Sequence, residues 1–238
     1  MINFVKNIKR RNIILFSDLL GIASNKKKIN HLINEFLKIL KALIKNKNTI
    51  ILPTYNLRFP HLKTTGKNTK FVTTGYLIKL LLKKFNFYRT KKPMYNYAVL
   101  GPNSKKILKL KQTTAWGDNS VIGYLSKQED TIGIGINTNL RTFTWVTIHA
   151  CEEKLRVPYR FWKIFKGKNL DTRKNVSEKM FVKDLEKQEI NLKPKIVINK
   201  LLKSGHLFLK KGKKANYSII YLNKYYKENL IHIKKIIK

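Results

Sequence analysis

Two short apolar runs separated by one long amphipathic stretch set the fold class of this chain. Residues 12–18, Asn-Ile-Ile-Leu-Phe-Ser-Asp, read as a buried strand that ends in polar residues. From Lys26 to Lys45 the apolar positions Ile29, Leu32, Ile33, Phe36, Leu37, Leu40, Leu43 and Ile44 follow the i, i+3, i+4, i+7 spacing of a helix with one buried face. Ser24 or Asn25 is its expected N-cap. Thr49 to Leu52 forms a second buried strand, stopped by Pro53. Strand, long helix, strand is the start of a βαβ pattern, so the sheet is expected to be at least partly parallel.

The remaining signals extend this pattern. Residues 54–72 are polar, basic and loop-like, and a second helix is expected over Thr74–Lys84 through Leu77, Ile78, Leu80, Leu81 and Leu82. Tyr97–Leu100, closed by Gly101-Pro102, and Thr131–Ile136 read as strands, the glycines of the latter suiting close backbone approach. A helix is expected over Trp145–Lys154, ending before Val157-Pro158. The tail alternates helix-like and strand-like patches, Asn216–Tyr221 among them. The expectation is a three-layer α/β/α fold with a mixed, partly parallel central sheet. It is a single domain over 1–238, with a core of about 12–190 and a small C-terminal addition of about 191–238.

Charge is the loudest feature of the composition: 51 Lys+Arg against 13 Asp+Glu give a formal +38. Only eight of the cations are Arg, and the lysines are spread along the whole chain with many Asn and Ile. Dedicated nucleic-acid readers lean on the planar arginine fork, so diffuse lysine reads as solvated faces and compositional drift, with no specific nucleic-acid partner expected. A hydrophobic content of 43% excludes a disordered basic tail, and a single Cys excludes a disulfide framework or a cysteine-based zinc module. No run approaches the roughly 20 apolar residues of a membrane span. Asp18 cuts short the apolar run after Lys9-Arg10-Arg11, so a signal peptide is not expected and a cytoplasmic location is.

One stretch carries chemistry. In Thr147-Ile-His149-Ala-Cys151-Glu152-Glu153, a helix places His149 and Glu152 three apart on one face, where a carboxylate fixes the imidazole tautomer and raises its basicity. Glu153, at i+4, offers the same service, and the ordinary alternative is a surface ion pair. Cys151 and His149 are two apart and point to different sides, which speaks against a thiol nucleophile. His31, His61, His206 and His232 are isolated, no metal site is expected, and Gly133-Ile-Gly135 lacks the third glycine of a dinucleotide turn.

The order of motifs resembles the aminoglycoside 3-N-acetyltransferase family, which differs in fold from the common GNAT acetyltransferases. The blocks are Ser17-Asp18-Leu19-Leu20-Gly21-Ile22, Ile51-Leu52-Pro53-Thr54-Tyr55 and Arg89-Thr90-Lys91-Lys92-Pro93-Met94-Tyr95-Asn96-Tyr97-Ala98-Val99-Leu100-Gly101. Trp116-Gly117-Asp118-Asn119-Ser120 and the segment from Thr142 through His149, Glu152 and Val157-Pro158-Tyr159-Arg160 follow. They cover about 13–167 in order, with Phe16, Lys92 and Asn96 standing where the family has His, His or Asp, and Ser. The resemblance implies acetyl transfer from acetyl-CoA to an amine of an aminosugar, with CoA and that sugar as partners and no metal. His149 would be the general base, Glu152 its orienting carboxylate and Thr147 an oxyanion donor; Ser17, Asp18, Thr74, Gly75, Arg89 and Asn96 would hold the cofactor. Aminoglycosides are polycations and this chain is strongly cationic, so an anionic, nucleotide-linked aminosugar is the expected acceptor. A catalytically inactive basic module binding nucleic acid or acidic partners is the alternative, and the oligomeric state, a homo-oligomer included, is left open.

Overall fold

The computed structural model describes residues 7–9, 11–18, 26–138, 140–187, 190–211 and 216–237, with backbone alone at 26–28, 31–32 and 140–145. The expected N-cap at Ser24 or Asn25, the Leu19–Ile22 part of the early turn and the side chains of His31, Leu32 and Thr142–Trp145 lie outside this description. The strands are β1 (Asn12–Ser17), β2 (Thr49–Pro53), β3 (Thr64–Thr65), β4 (Tyr88–Arg89), β5 (Tyr97–Leu100), β6 (Thr131–Ile136), β7 (Arg160–Asn169), β8 (Asn175–Lys183), β9 (Leu207–Lys211) and β10 (Asn216–Tyr221). The helices are α1 (Lys26–Lys45), α2 (Phe59–Leu62), α3 (Tyr76–Lys84), α4 (Ser104–Leu108), α5 (Val121–Leu125), α6 (Leu140–Leu155), α7 (Pro194–Lys203) and α8 (Leu222–Ile236).

Seven strands form the main sheet in the order β4-β5-β2-β1-β6-β10-β9. Its centre is the parallel trio β2-β1-β6, and antiparallel strands extend it on both flanks. Side chains alternate across a strand, so each apolar run serves both faces. Ile13, Leu15, Ile50 and Leu52 meet α1 and α3 through Leu40, Leu43, Leu77 and Leu81. Ile14, Ile51, Tyr97 and Val99 face the opposite layer, where α6 and α8 bring Ala150, Cys151, Tyr226 and Ile233. The expected α/β/α layering is therefore present. Residues beyond 190 belong to the same body: β10 pairs with β6, β9 follows it, and α8 packs on α6.

Several stretches differ from the sequence expectation, among them α6, which starts at Leu140 and not at Trp145. The 54–72 segment holds the short α2, β3 and a 3-10 turn over Thr69–Phe71 instead of plain loop. Helix α3 starts at Tyr76 because Gly75, at φ 100°, takes a backbone conformation outside the helix. A second sheet, β3-β7-β8, is built around a long hairpin that no apolar pattern announced.

The topology creates a crevice. The chain leaves β1 for β2 on one flank and returns with β6 on the other, and the three strands are parallel, so Ser17, Pro53 and Ile136 end on one edge of the sheet. Open α/β sheets bind ligands at such a reversal, outside the carboxyl ends of the strands. Leu40, with no exposed surface, fixes α1 beneath this trio. Replacing it by alanine is expected to cost about 2–5 kcal/mol, read as a lower denaturant midpoint at unchanged slope.

Candidate active site

At the carboxyl ends of the parallel strands lies a cleft of about 480 Å³. β1 contributes Phe16 and Ser17 with the following Asp18, β2 contributes Pro53 with the following Tyr55, Thr74 and Gly75 come from the entry to α3, and α6 contributes Val146 and His149. The Ser17 hydroxyl is buried there and, among the described residues, has no hydrogen-bond partner. The Thr74 hydroxyl donates to the Pro53 carbonyl, and no side chain caps α3, whose entry at Gly75 lies close to the Ser17 carbonyl. Asp18 and Ser17, Thr74 and Gly75, far apart in sequence, thus share one cavity with His149.

His149 and Glu152 meet as the i, i+3 spacing requires: Nδ1 is 2.8 Å from Glu152 Oε2. Arg160 Nη2 lies 2.8 Å from the same oxygen and Tyr159 donates its hydroxyl to Oε1 at 2.9 Å, so the carboxylate receives three donors. Arg160 Nη2 is also 2.9 Å from Nδ1. Both nitrogens carry protons toward Oε2, which is their shared acceptor. This fixes the N–H on Nδ1 and leaves the basic lone pair on Nε2. Burial, helped by the Arg160 charge, holds the imidazole below its ordinary value of 6.5 against the opposing pull of Glu152, so it is neutral at neutral pH. Burial alone would push the Glu152 carboxyl up; the His149 hydrogen bond, the Arg160 charge and the Tyr159 hydroxyl together pull it below its usual range. The arrangement is a neutral, oriented base facing a cavity.

No protein-family model matches the chain, and no curated protein does. Solved structures do. Aminoglycoside acetyltransferase AAC(3)-IIb superposes with a TM-score of 0.73 at 12% identity, covering 99% of this chain and 97% of that one. Sisomicin-bound AAC-VIa gives 0.73 at 11% identity over 98% and 95%. The YokD protein from Bacillus subtilis gives 0.68 at 15% identity over 99% and 90%. The chain has the fold of the aminoglycoside 3-N-acetyltransferases.

Within this acetyltransferase fold the other expected site residues divide. Thr147 is 2% exposed and sits two residues before His149, about 200° around the helix, and it does not line the cleft. Arg89 is directed inward: its guanidinium donates to the carbonyls of Gly66, Lys67 and Thr54 and to Asn96 Oδ1. Burial lowers it to about 10. Asn96, 1% exposed, also accepts the Thr54 hydroxyl. Both residues clamp the loop after β2 to the β4-β5 pair, and neither lines the cleft. Glu153 turns to the Thr114 hydroxyl at 2.6 Å, away from His149. Cys151 points into the α6–α8 contact, where its thiol lies 3.5 Å from the Tyr226 carbonyl and burial pushes it well up, as suits an inert side chain.

Four contributors had no role assigned from sequence. Trp116 packs its ring 4.7 Å from the imidazole, and Tyr95 stands against Trp116 at 5.2 Å. Tyr159 and Arg160 hold Glu152, and the Val157-Pro158-Tyr159-Arg160 motif was the available signal for them. The Trp116-Gly117-x-x-Ser120 turn has a steric basis: a Cβ on Gly117 would meet Glu153 Oε1 and the Thr114 hydroxyl, while Ser120 Oγ caps α5 by accepting from Gly123 N at 3.0 Å. Removing the Arg160 charge relieves a protonated imidazole of a like neighbour. An Arg160→Met variant should therefore move the His149 midpoint upward in a proton NMR titration, from a wild-type value below 6.5.

Proposed function

We propose that this chain transfers the acetyl group of acetyl-CoA to an amino group of an aminosugar. The observation that carries the proposal is His149: a neutral imidazole, oriented by Glu152 and lining a cleft at the carboxyl ends of parallel strands. Acetyl-CoA supplies an activated acetyl group as a thioester. An amine attacks a thioester only when neutral, so the step requires a base at the amine. His149 Nε2 takes that proton as the C–N bond forms, the Nδ1–H bond to Glu152 steadies the resulting imidazolium, and the C–S bond breaks to release CoA, whose thiolate takes the proton back from the imidazolium. Arg160 and Tyr159 keep the carboxylate turned toward the ring throughout. The fit of the co-substrate rests on the polar groups at the cleft: the unpartnered Ser17 hydroxyl and the uncapped backbone N–H groups at the start of α3 are the donors for its acetyl oxygen. They take the role that the sequence reading gave to Thr147.

The acceptor follows from charge. Aminoglycosides are polycations, and the solved relatives include an enzyme bound to sisomicin. Here, among the described residues lining the cleft, Asp18 is the one carboxylate, because Glu152 is enclosed by His149, Arg160 and Tyr159. With a formal +38 on the chain, a polycation is poorly hosted and an anionic aminosugar, such as a nucleotide-linked one, is favoured.

Thiol release from acetyl-CoA, assayed over a panel of sugar nucleotides and kanamycin-like polycations, tests this reading. His149→Gln should lose about 10²–10⁴-fold in turnover while acetyl-CoA still raises the melting temperature. Normal turnover by that variant would remove His149 as the base. In the wild type, activity should persist above the depressed His149 midpoint and fall as pH drops through it, placing the acid limb below 6.5. A preference for the polycations at physiological salt would overturn the acceptor assignment.

A further inference from the structure

Glu153, next to the carboxylate that orients His149, belongs to a different cavity. It encloses about 420 Å³ between the 113–119 turn, the end of α6 and the β7–β8 hairpin. None of its lining residues lines the cleft of His149. The Trp116-Gly117 turn stands between them, with the Trp116 ring against the imidazole and Gly117 in the wall of the second cavity.

Its wall joins exposed cations, two of them stacked on one indole, to an unsatisfied acceptor. The Arg156 guanidinium carbon lies 4.7 Å and Lys179 Nζ 4.6 Å from the centroid of Trp162, so one indole gathers two like charges. Lys154 is a third cation, 2.8 Å from Asp118, but Asp118 is shared with Lys127 at 2.9 Å. Glu153 is 5% exposed; its Oε1 takes the Thr114 hydroxyl, the Arg156 charge and the Trp116 backbone N–H also act on the carboxylate, and among the described residues its buried Oε2 has no hydrogen bond of normal geometry. Two crowded cations call for an anion, and the orphaned Oε2 calls for a donor. The volume falls in the range of small-molecule sites, about 300–1,000 Å³, larger than a bare oxyanion requires.

We propose that this cavity binds a sugar phosphate, its phosphate held by Arg156 and Lys179 and one of its hydroxyls donated to Glu153 Oε2. Burial raises the Glu153 carboxyl, which reduces its repulsion of a nearby phosphate. The Asp118 charge is countered by its two lysines. The site does not depend on acetyl transfer and stands or falls separately from it.

Calorimetric titration of the full chain with glucose 6-phosphate, glucose and inorganic phosphate tests the assignment. Glucose 6-phosphate should bind more tightly than either fragment. Lys179→Met and Arg156→Met, each checked for an unchanged melting transition, should weaken it about tenfold or more, as loss of a charge-assisted contact does. Lys163→Met removes an equal charge from the same hairpin outside the cavity and should leave binding unchanged. Equal losses in Lys163→Met and Lys179→Met would reduce the effect to diffuse attraction and overturn the site. Absence of binding would overturn it too. Displacement of glucose 6-phosphate by excess CoA would make the cavity part of the donor's own site, which also overturns the proposal.

Discussion

The Glu152 carboxylate is the constraint on which the site is built. It is buried, yet it receives an imidazole N–H, a guanidinium N–H and a phenol O–H. The imidazole comes from its own helix; the other two donors follow Val157-Pro158, Tyr159 just before β7 and Arg160 at its first position. One side chain therefore fixes the tautomer of His149 and the path by which the chain leaves α6 for the hairpin. Removing one partner of a buried pair typically costs about 3–5 kcal/mol, because the remaining charge stays desolvated. Arg160 also donates to the Phe181 carbonyl, so the ion pair extends across to β8.

Helix α6 sends its polar residues in different directions, and the sites follow from that geometry. Thr147 and Cys151, four apart, are buried. His149 and Glu152 form the oriented base at the cleft. Glu153 lies a further 100° or so around the helix and ends at Thr114. At i+4 it was as well spaced for His149 as Glu152 is. Tertiary partners break the tie: Arg160 and Tyr159 claim one carboxylate, Thr114 the other. A mutation at 152 and one at 153 are thus adjacent in sequence but act on different cavities.

Much of the fold was written in local pattern. β1, β2 and β6 are buried on both faces and so appear as continuous apolar runs, and α1 and α3 carry one clear stripe each. The β7–β8 hairpin is different. In Arg-Phe-Trp-Lys-Ile-Phe-Lys-Gly-Lys-Asn, lysines alternate irregularly with aromatics on partly exposed faces, so neither period stands out. The base and its carboxylate were legible because three residues of helix bring them together. Arg89 and Asn96 were placed at the cofactor by motif position alone; antiparallel pairing of β4 with β5 turns them toward each other and into the loop after β2. Ser17, Asp18, Thr74 and Gly75 do reach the cleft, because strand ends and helix starts converge on one edge of a parallel sheet.

The net charge has two separable consequences. Lysines dominate the count and most of those described are exposed, so they create a long-range field that draws anions to the whole surface and fades within a Debye length of about 8 Å at physiological salt. The arginines are few, and two are fixed, Arg160 on Glu152 and Arg89 among backbone carbonyls, while the exposed Arg156 stacks on Trp162. A field enriches anions without choosing among them. Choice requires donors held in place, and here those are arginines braced by a carboxylate or carbonyls, together with the neutral imidazole of His149. The lysine excess therefore sets which ions gather at the surface, while any selection among them rests on a handful of fixed contacts that the composition does not reveal.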